Sequence, residues 1–182
     1  MFITEDNRVH CMGSIIAPKR LLTAAHCFAE SSDNYIPKEQ LKVVFGLHDL
    51  NMLNLPFVTK TIRNITEVKV HPDYKWQEAY ADIVIVEVDE KVSFSEVIYP
   101  VCLPDKQNAN KNHLKEKSVT MVGFGPEDET SKNLRKISQT IRSWFYCNRR
   151  YKPKNADIKF RPLLSKELPK GFDETLICAQ NK

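Results

Sequence analysis

The chain has 182 residues, 42 % hydrophobic and 27 % charged, with a formal net charge of +4 at pH 7. This composition excludes a disordered chain and is typical of a globular protein with a sizeable core. No apolar run approaches the roughly 18 residues of a membrane-spanning helix, so no membrane segment is expected. Residues 1–6 lack the basic start and apolar stretch of a signal peptide. Five cysteines nevertheless indicate an oxidising compartment, and we therefore expect the natural N-terminus to lie upstream.

The first predicted element is a hairpin that leads into a histidine. The run from Val9 to Ala17 predicts one strand, Pro18-Lys19 a turn, and Arg20-Leu21-Leu22 the returning strand. Residues 24–27, Ala-Ala-His-Cys, then predict one tight helical turn, because no β-branched side chain opposes it.

Three interpretations of this turn are open. A disulfide between Cys11 and Cys27 would pin the turn and fix the direction of the His26 imidazole. The histidine could instead be a buried core residue beside a structural cysteine. His10, Cys11, His26 and Cys27 could also bind zinc, although their spacing fits no zinc template.

Two further strands are predicted before the middle of the chain. The run from Leu41 to Gly46 alternates apolar and polar residues and ends in glycine, and the run from Thr61 to Val70 is a second strand. Asn64-Ile65-Thr66 fits the N-glycosylation pattern, which matters only in a secreted protein.

An aspartate precedes the most apolar run of the chain. Residues 81–88, Ala-Asp-Ile-Val-Ile-Val-Glu-Val, predict a strand that is buried on both faces. A carboxylate at its head is costly to bury without a partner, and a histidine N–H is a natural partner for it. Asp82 could alternatively cap the strand at the surface.

The last third of the chain predicts two strands and a helix in a basic context. Residues 118–125 and 134–141 have strand patterns, and Ser143 to Lys152 fits a short helix. Residues 132–170 contain twelve Lys or Arg and two acids, Asp157 and Glu167. Such a segment could bind an anionic partner such as a heparin-like polyanion, or it could be a solvated face.

Several of these strings resemble the motifs of the trypsin-like serine proteases, which have the chymotrypsin fold. Residues 22–27 match the histidine motif Leu-Thr-Ala-Ala-His-Cys, and His-Pro-Asp-Tyr at 71–74 is common in the family just before the catalytic aspartate. Asp82-Ile83 resembles the family's aspartate segment, and residues 100–104 resemble its Pro-Val-Cys-Leu-Pro string. The resemblance implies an all-β, chymotrypsin-like double six-stranded antiparallel β-barrel.

The resemblance also implies roles and domains. His26 would be the general base and Asp82 the carboxylate that orients it, in an endopeptidase that hydrolyses protein or peptide substrates. Residues 1–100 would form the N-terminal barrel without its first segment, 101–117 the linker, and 118–182 an incomplete C-terminal barrel.

Several parts of the family pattern have no match in the chain. The Gly-Asp-Ser-Gly loop that holds the nucleophilic serine and the oxyanion-hole donors has no counterpart here, nor has the specificity pocket. We therefore expect a chain truncated at both ends and inactive as printed, because loss of the serine alone costs on the order of a million-fold in rate.

The five cysteines have counterparts of different kinds in the family. The resemblance implies disulfides Cys11–Cys27 and Cys147–Cys178. Cys102 would be free or bonded to another chain, as in members that tether a regulatory pro-domain. Leu47 stands where calcium-binding members have an acidic residue, and no metal or cofactor is expected.

The resemblance further implies a secreted protein. The runner-up function is a non-catalytic protease homologue that binds a partner, for which segment 132–170 is a candidate surface, and a zinc or redox protein is the third. The intact His26 and Asp82 favour the peptidase, because a binding module has no physical need for a buried aspartate directed at a histidine.

Overall fold

The structure is a computed structural model of the chain, and it describes residues 1–59, 61–105, 114–125, 132–151, 161–173 and 175–181. Within these ranges the protein is mostly β, with ten strands in two sheets. The α-helices in the same ranges are short: α1 (Pro56–Thr59), α2 (Trp144–Tyr151) and α3 (Arg161–Glu167).

Seven strands form the larger sheet: β1 (Phe2–Thr4), β2 (Val9–Cys11), β3 (Ser14–Ala17), β4 (Arg20–Thr23), β5 (Leu41–Val44), β6 (Ile62–Val70) and β7 (Val84–Val88). Their order is β2-β1-β5-β6-β7-β4-β3, and neighbouring strands are antiparallel. The smaller sheet has the order β10-β9-β8, formed by β8 (Ser118–Gly123), β9 (Arg135–Arg142) and β10 (Cys178–Asn181). This agrees with the expected chymotrypsin-like fold with an incomplete second barrel.

The described residues cluster into two compact units. One comprises Met1–Pro72, Ile83–Leu103 and Gly123–Arg135, and the other Asp73–Asp82, Pro104–Val122 and Lys136–Lys182. The domain boundaries at residues 100 and 117 stay a prediction.

The predicted strand from Val9 to Ala17 is wrong in one respect, because the chain leaves the sheet at Met12 and Gly13. A Cβ on Gly13 would lie 2.9 Å from Cε2 of Phe2 and 3.1 Å from the carbonyl oxygen of Leu22. The backbone therefore packs directly onto neighbouring groups at this point. The Met12 carbonyl accepts a hydrogen bond from Thr23 Oγ1 at 2.6 Å, outside the strand ladder.

Strand β1 was not foreseen from the sequence, yet it lies inside the sheet. It pairs with β2 on one side and β5 on the other. Phe2 and Ile3 are fully buried, and the Phe2 ring meets the Phe28 ring edge-on with centroids 5.5 Å apart. The α-amine of Met1 donates to the carbonyl oxygen of Val44 at 3.0 Å, and burial lowers the pKa of this amine to about 5.

The second unit is built around α2 and the smaller sheet. Its strand and helix lie close to the predicted ranges, at Arg135–Arg142 and Trp144–Tyr151. The hydroxyl of Ser143 accepts from the backbone N–H of Tyr146 at 3.2 Å, which satisfies one of the free donors at the helix start. Cys147 is fully buried on this helix.

Candidate functional site

His26 lies on a single 3₁₀ turn, Ala25–Cys27, directly after β4. The predicted tight turn is thus confirmed. The N–H of Phe28 donates to the carbonyl oxygen of Ala25 at 2.9 Å and closes the turn. Ala25 and Cys27 are buried while His26 is exposed. The small alanine lets the turn pack against the core and leaves the imidazole accessible to solvent.

A disulfide and two hydrogen bonds hold this turn. Cys11 at the end of β2 is bonded to Cys27, with their Cα atoms 6.1 Å apart. His10 Nε2 lies 2.6 Å from the carbonyl oxygen of Cys27 and donates to it, because a carbonyl only accepts. The Thr23 hydroxyl, which donates to the Met12 carbonyl, ties the end of β4 to the short connection between β2 and β3. The turn is therefore anchored on both sides of His26.

The Cys11–Cys27 disulfide also bears on the zinc interpretation. The ligand atoms of Cys11, His26 and Cys27 lie within 4.8 Å of one another, a spacing that could suit a metal ion. The two sulfurs are joined to each other, however, and a metal needs the deprotonated thiolate of each cysteine. The arrangement therefore favours a covalent crosslink over a zinc site.

Asp82 is half-buried and lies two residues before β7. The prediction that this strand is buried on both faces is wrong. Val84, Val86 and Val88 are buried, whereas Ile83 is 40 % exposed and the alternate residues of β7 are half-buried. The reason is that β7 belongs to an antiparallel sheet, which can face water on one side.

The pairing of β4 with β7 relates the segments that carry the two candidate residues. In this ladder Leu21 pairs with Val86, and Thr23 pairs with Val84. His26 follows Thr23 by three residues and Asp82 precedes Val84 by two. The short chain segments that lead to His26 and from Asp82 therefore join this ladder at the same end, at the Thr23–Val84 pair.

The structure contains the second disulfide that the resemblance implies. Cys147 on α2 is bonded to Cys178 in β10, with a Cα–Cα distance of 6.5 Å. Cys102 carries a free thiol and is exposed. Whether Cys102 is bonded to another chain stays a prediction.

Asn64 and His71 have structural contacts. Asn64 is exposed on β6, and its amide nitrogen, to which a glycan would attach, donates to Asp89 Oδ2 at 2.8 Å. Glycosylation there stays a prediction. The backbone N–H of His71 donates to the carbonyl oxygen of Ile83 at 3.1 Å.

The basic segment 132–170 is only partly described, because residues 152–160 lie outside the described ranges. Residues 132–135 belong to the first unit and the remainder to the second. Arg142 is paired with Glu116 at 2.8 Å, and the Lys170 ammonium lies 6.0 Å from the centroid of the Tyr80 ring. An anionic partner for this segment stays a prediction.

Sequence reasoning missed a contact next to Asp82. The buried Tyr80 hydroxyl bonds to the backbone of residues 170 and 171 in the second unit. The only local signal was the tyrosine itself, since its partners lie about ninety residues later in the sequence.

Comparison with known proteins decides the family. The model of the trypsin family matches residues 1–181. The chain belongs to the trypsin family. The chymotrypsin-like all-β fold with an incomplete second barrel is thereby confirmed for this trypsin-family chain.

Of three curated relatives of this trypsin-family chain, two are proteases by name. It is 34 % identical to a venom serine protease of Polistes dominula over 79 % of this chain and 50 % of the relative. It is 27 % identical to the clotting factor G beta subunit of Tachypleus tridentatus over 98 % of this chain and 53 % of that protein. It is 33 % identical to transmembrane protease serine 11B of Homo sapiens over 65 % of this chain and 25 % of that protein. The chain therefore spans about half or less of these relatives.

Among the described residues of this trypsin-family chain, none of the helices has the length and apolar character needed to cross a membrane.

Proposed function

We propose that the chain is the part of a serine endopeptidase that carries His26 as the general base and Asp82 as the carboxylate that orients it. The observation that carries this proposal is the β4–β7 ladder, in which Thr23 pairs with Val84. His26 follows Thr23 by three residues and Asp82 precedes Val84 by two, so both are connected to the same end of this strand pair. Membership of the trypsin family across residues 1–181 supports the same roles.

The burial of each residue suits its proposed role. An exposed imidazole on an anchored turn can accept the proton of a serine nucleophile and later give it to the leaving amine. A half-buried carboxylate can accept the imidazole N–H and stabilise the imidazolium that forms during the reaction. The Cys11–Cys27 bond restricts the His26 turn, so less ordering is required when substrate binds.

The nucleophile is proposed to lie outside residues 1–182. The printed sequence contains no Gly-Asp-Ser-Gly string, and no serine after Asp82 has a neighbouring glycine. Without serine and oxyanion donors, residues 1–182 alone are expected to have no measurable peptidase activity.

The proposal extends to substrate, partners and compartment. Protein or peptide chains are the substrates, and the exposed Cys102 thiol is a site at which a pro-domain could be tethered. An extracellular location is supported by the two disulfides and by relatives named as a venom protease and a clotting factor.

The test is peptide hydrolysis by the whole protein that contains this chain. A panel of chromogenic peptides with Arg, Phe or Ala at the cleaved position would be assayed for wild type, Asp82→Asn and the control His48→Ala, at an exposed histidine of the first unit. Asp82→Asn should lower kcat about 10⁴-fold, the loss known for the same substitution in another member of this family. His48→Ala should retain most activity. Equal activity of wild type and Asp82→Asn would overturn the assignment.

If the wild-type whole protein hydrolyses no peptide, the result would instead support a non-catalytic homologue. Binding would then be sought at segment 132–170.

A further inference from the structure

The segment that precedes Asp82 contains two residues with an unfavourable backbone conformation. Gln77 and Ala81 have φ angles of 70° and 51°, in the left-handed region. A residue with a Cβ adopts this region only at an energetic cost, and it persists where surrounding contacts hold it. Something must therefore fix residues 77–81, the last of which is bonded directly to Asp82.

Three hydrogen bonds to a distant part of the second unit supply that constraint. The backbone N–H of Ala79 donates to the carbonyl oxygen of Glu167, at the end of α3, at 2.8 Å. The Tyr80 hydroxyl donates to the carbonyl oxygen of Gly171 at 2.6 Å and accepts from the N–H of Lys170 at 3.0 Å. Tyr80 is only 8 % exposed, so water replaces these bonds poorly if they are lost.

The turn at residues 170–172, which binds the Tyr80 hydroxyl, is itself held in one conformation. The Asn148 side chain bridges the backbone of Phe172, donating to its carbonyl and accepting from its N–H, both at 2.7 Å. Gly171 has a φ of +78°, and a Cβ there would lie 2.5 Å from Asn148 Oδ1. Asn148 follows Cys147, which is crosslinked to Cys178. The turn is therefore attached to α2 and, through the disulfide, to β10.

We propose that Tyr80, Lys170–Phe172 and Asn148, here called the Tyr80 clamp, fix the backbone that presents the Asp82 carboxylate. Tyr80 is then a positioning residue for Asp82, and this role rests on the function proposed for Asp82 above. One residue separates the two, so a shift of the tyrosine ring moves the carboxylate with it. Misplacement of a catalytic group by about 1 Å can cost on the order of 100-fold in rate.

The test compares Tyr80→Phe with Tyr146→Phe in the whole protein that contains this chain. Both changes remove one phenolic hydroxyl in the second unit, since Tyr146 donates to Gln180 Oε1 at 2.8 Å on the exposed surface. Active enzyme is counted by covalent titration, so that kcat refers to folded, competent molecules. Amide hydrogen exchange of the peptides that contain Ala79 and Lys170 reports on the clamp independently of catalysis.

Tyr80→Phe is expected to lower kcat between about 10- and 100-fold with KM within twofold, because the carboxylate is displaced while substrate contacts remain. Exchange at Ala79 and Lys170 should accelerate by about fivefold to tenfold, and Tyr146→Phe should change neither quantity. Gly171→Ala, which crowds Asn148, should reproduce the loss of kcat. It is the alternative test of the clamp if Tyr80→Phe folds poorly.

The outcomes separate the two proposals. If Asp82→Asn loses activity but Tyr80→Phe and Gly171→Ala keep kcat within twofold, the positioning role is overturned and the role of Asp82 stands. If Asp82→Asn keeps full activity, the proposed function fails and the positioning role with it, whatever amide exchange shows about the clamp.

Discussion

The buried α-amine of Met1 makes the stability of residues 1–182 depend on pH. Burial lowers the pKa of this amine from its ordinary value of 8.0 to about 5. Between those two values the unfolded chain binds a proton that the folded chain does not, so stability falls as pH is lowered from 8 to 5. At 1.36 kcal/mol for each pH unit, the loss approaches roughly 4 kcal/mol and is complete below pH 5.

Urea unfolding of residues 1–182, followed by circular dichroism between pH 8.5 and 4.5, measures this loss. The matched control is the same chain with an acetylated α-amine, which keeps the N–H for the Val44 carbonyl but does not titrate. Met1 and Val44 both line a cavity of about 350 Å³. Other titrating groups affect both forms alike, so the difference between them isolates the amine. Parallel pH profiles for the two forms would refute the reasoning.

Two other predictions concern the first unit. Replacing both Cys11 and Cys27 by alanine should lower the free energy of unfolding by about 3 kcal/mol, because the bond closes a loop with a sequence separation of 16; a loss below about 1 kcal/mol in urea would contradict this. Phe2→Ala should cost about 3–5 kcal/mol, because the ring is fully buried against Phe28. Its control Phe57→Ala, at a side chain that is 58 % exposed, should change the urea midpoint little, and equal losses would count against the burial of Phe2.

The histidine turn was predictable because its causes are local. Two alanines, a cysteine and the preceding apolar strand lie within seven residues, and they specify a tight turn without help from distant parts of the chain. The strands β5, β6 and β9 were predictable for the same reason, since the residue patterns that predict them lie within the strands themselves.

Features that depend on distant partners were not predictable. Strand β1 has only three residues, and it exists because β2 and β5 pair with both of its edges. Ile83 is exposed because one face of the antiparallel sheet is solvated. A continuous apolar run in the sequence does not indicate that one face of its strand will contact water. Tyr80 meets Gly171 across 91 residues, and no periodicity indicates that contact.

The central claim is that His26 activates a serine in the whole protein that contains this chain. Covalent labelling by a biotinylated fluorophosphonate, which reacts with an activated serine, tests it most directly. We predict that wild type and His48→Ala, a change at an exposed histidine of the first unit, label at comparable rates. His26→Ala should label at least about 10³-fold more slowly because the general base is lost. Equal labelling rates for wild type and His26→Ala would contradict the account.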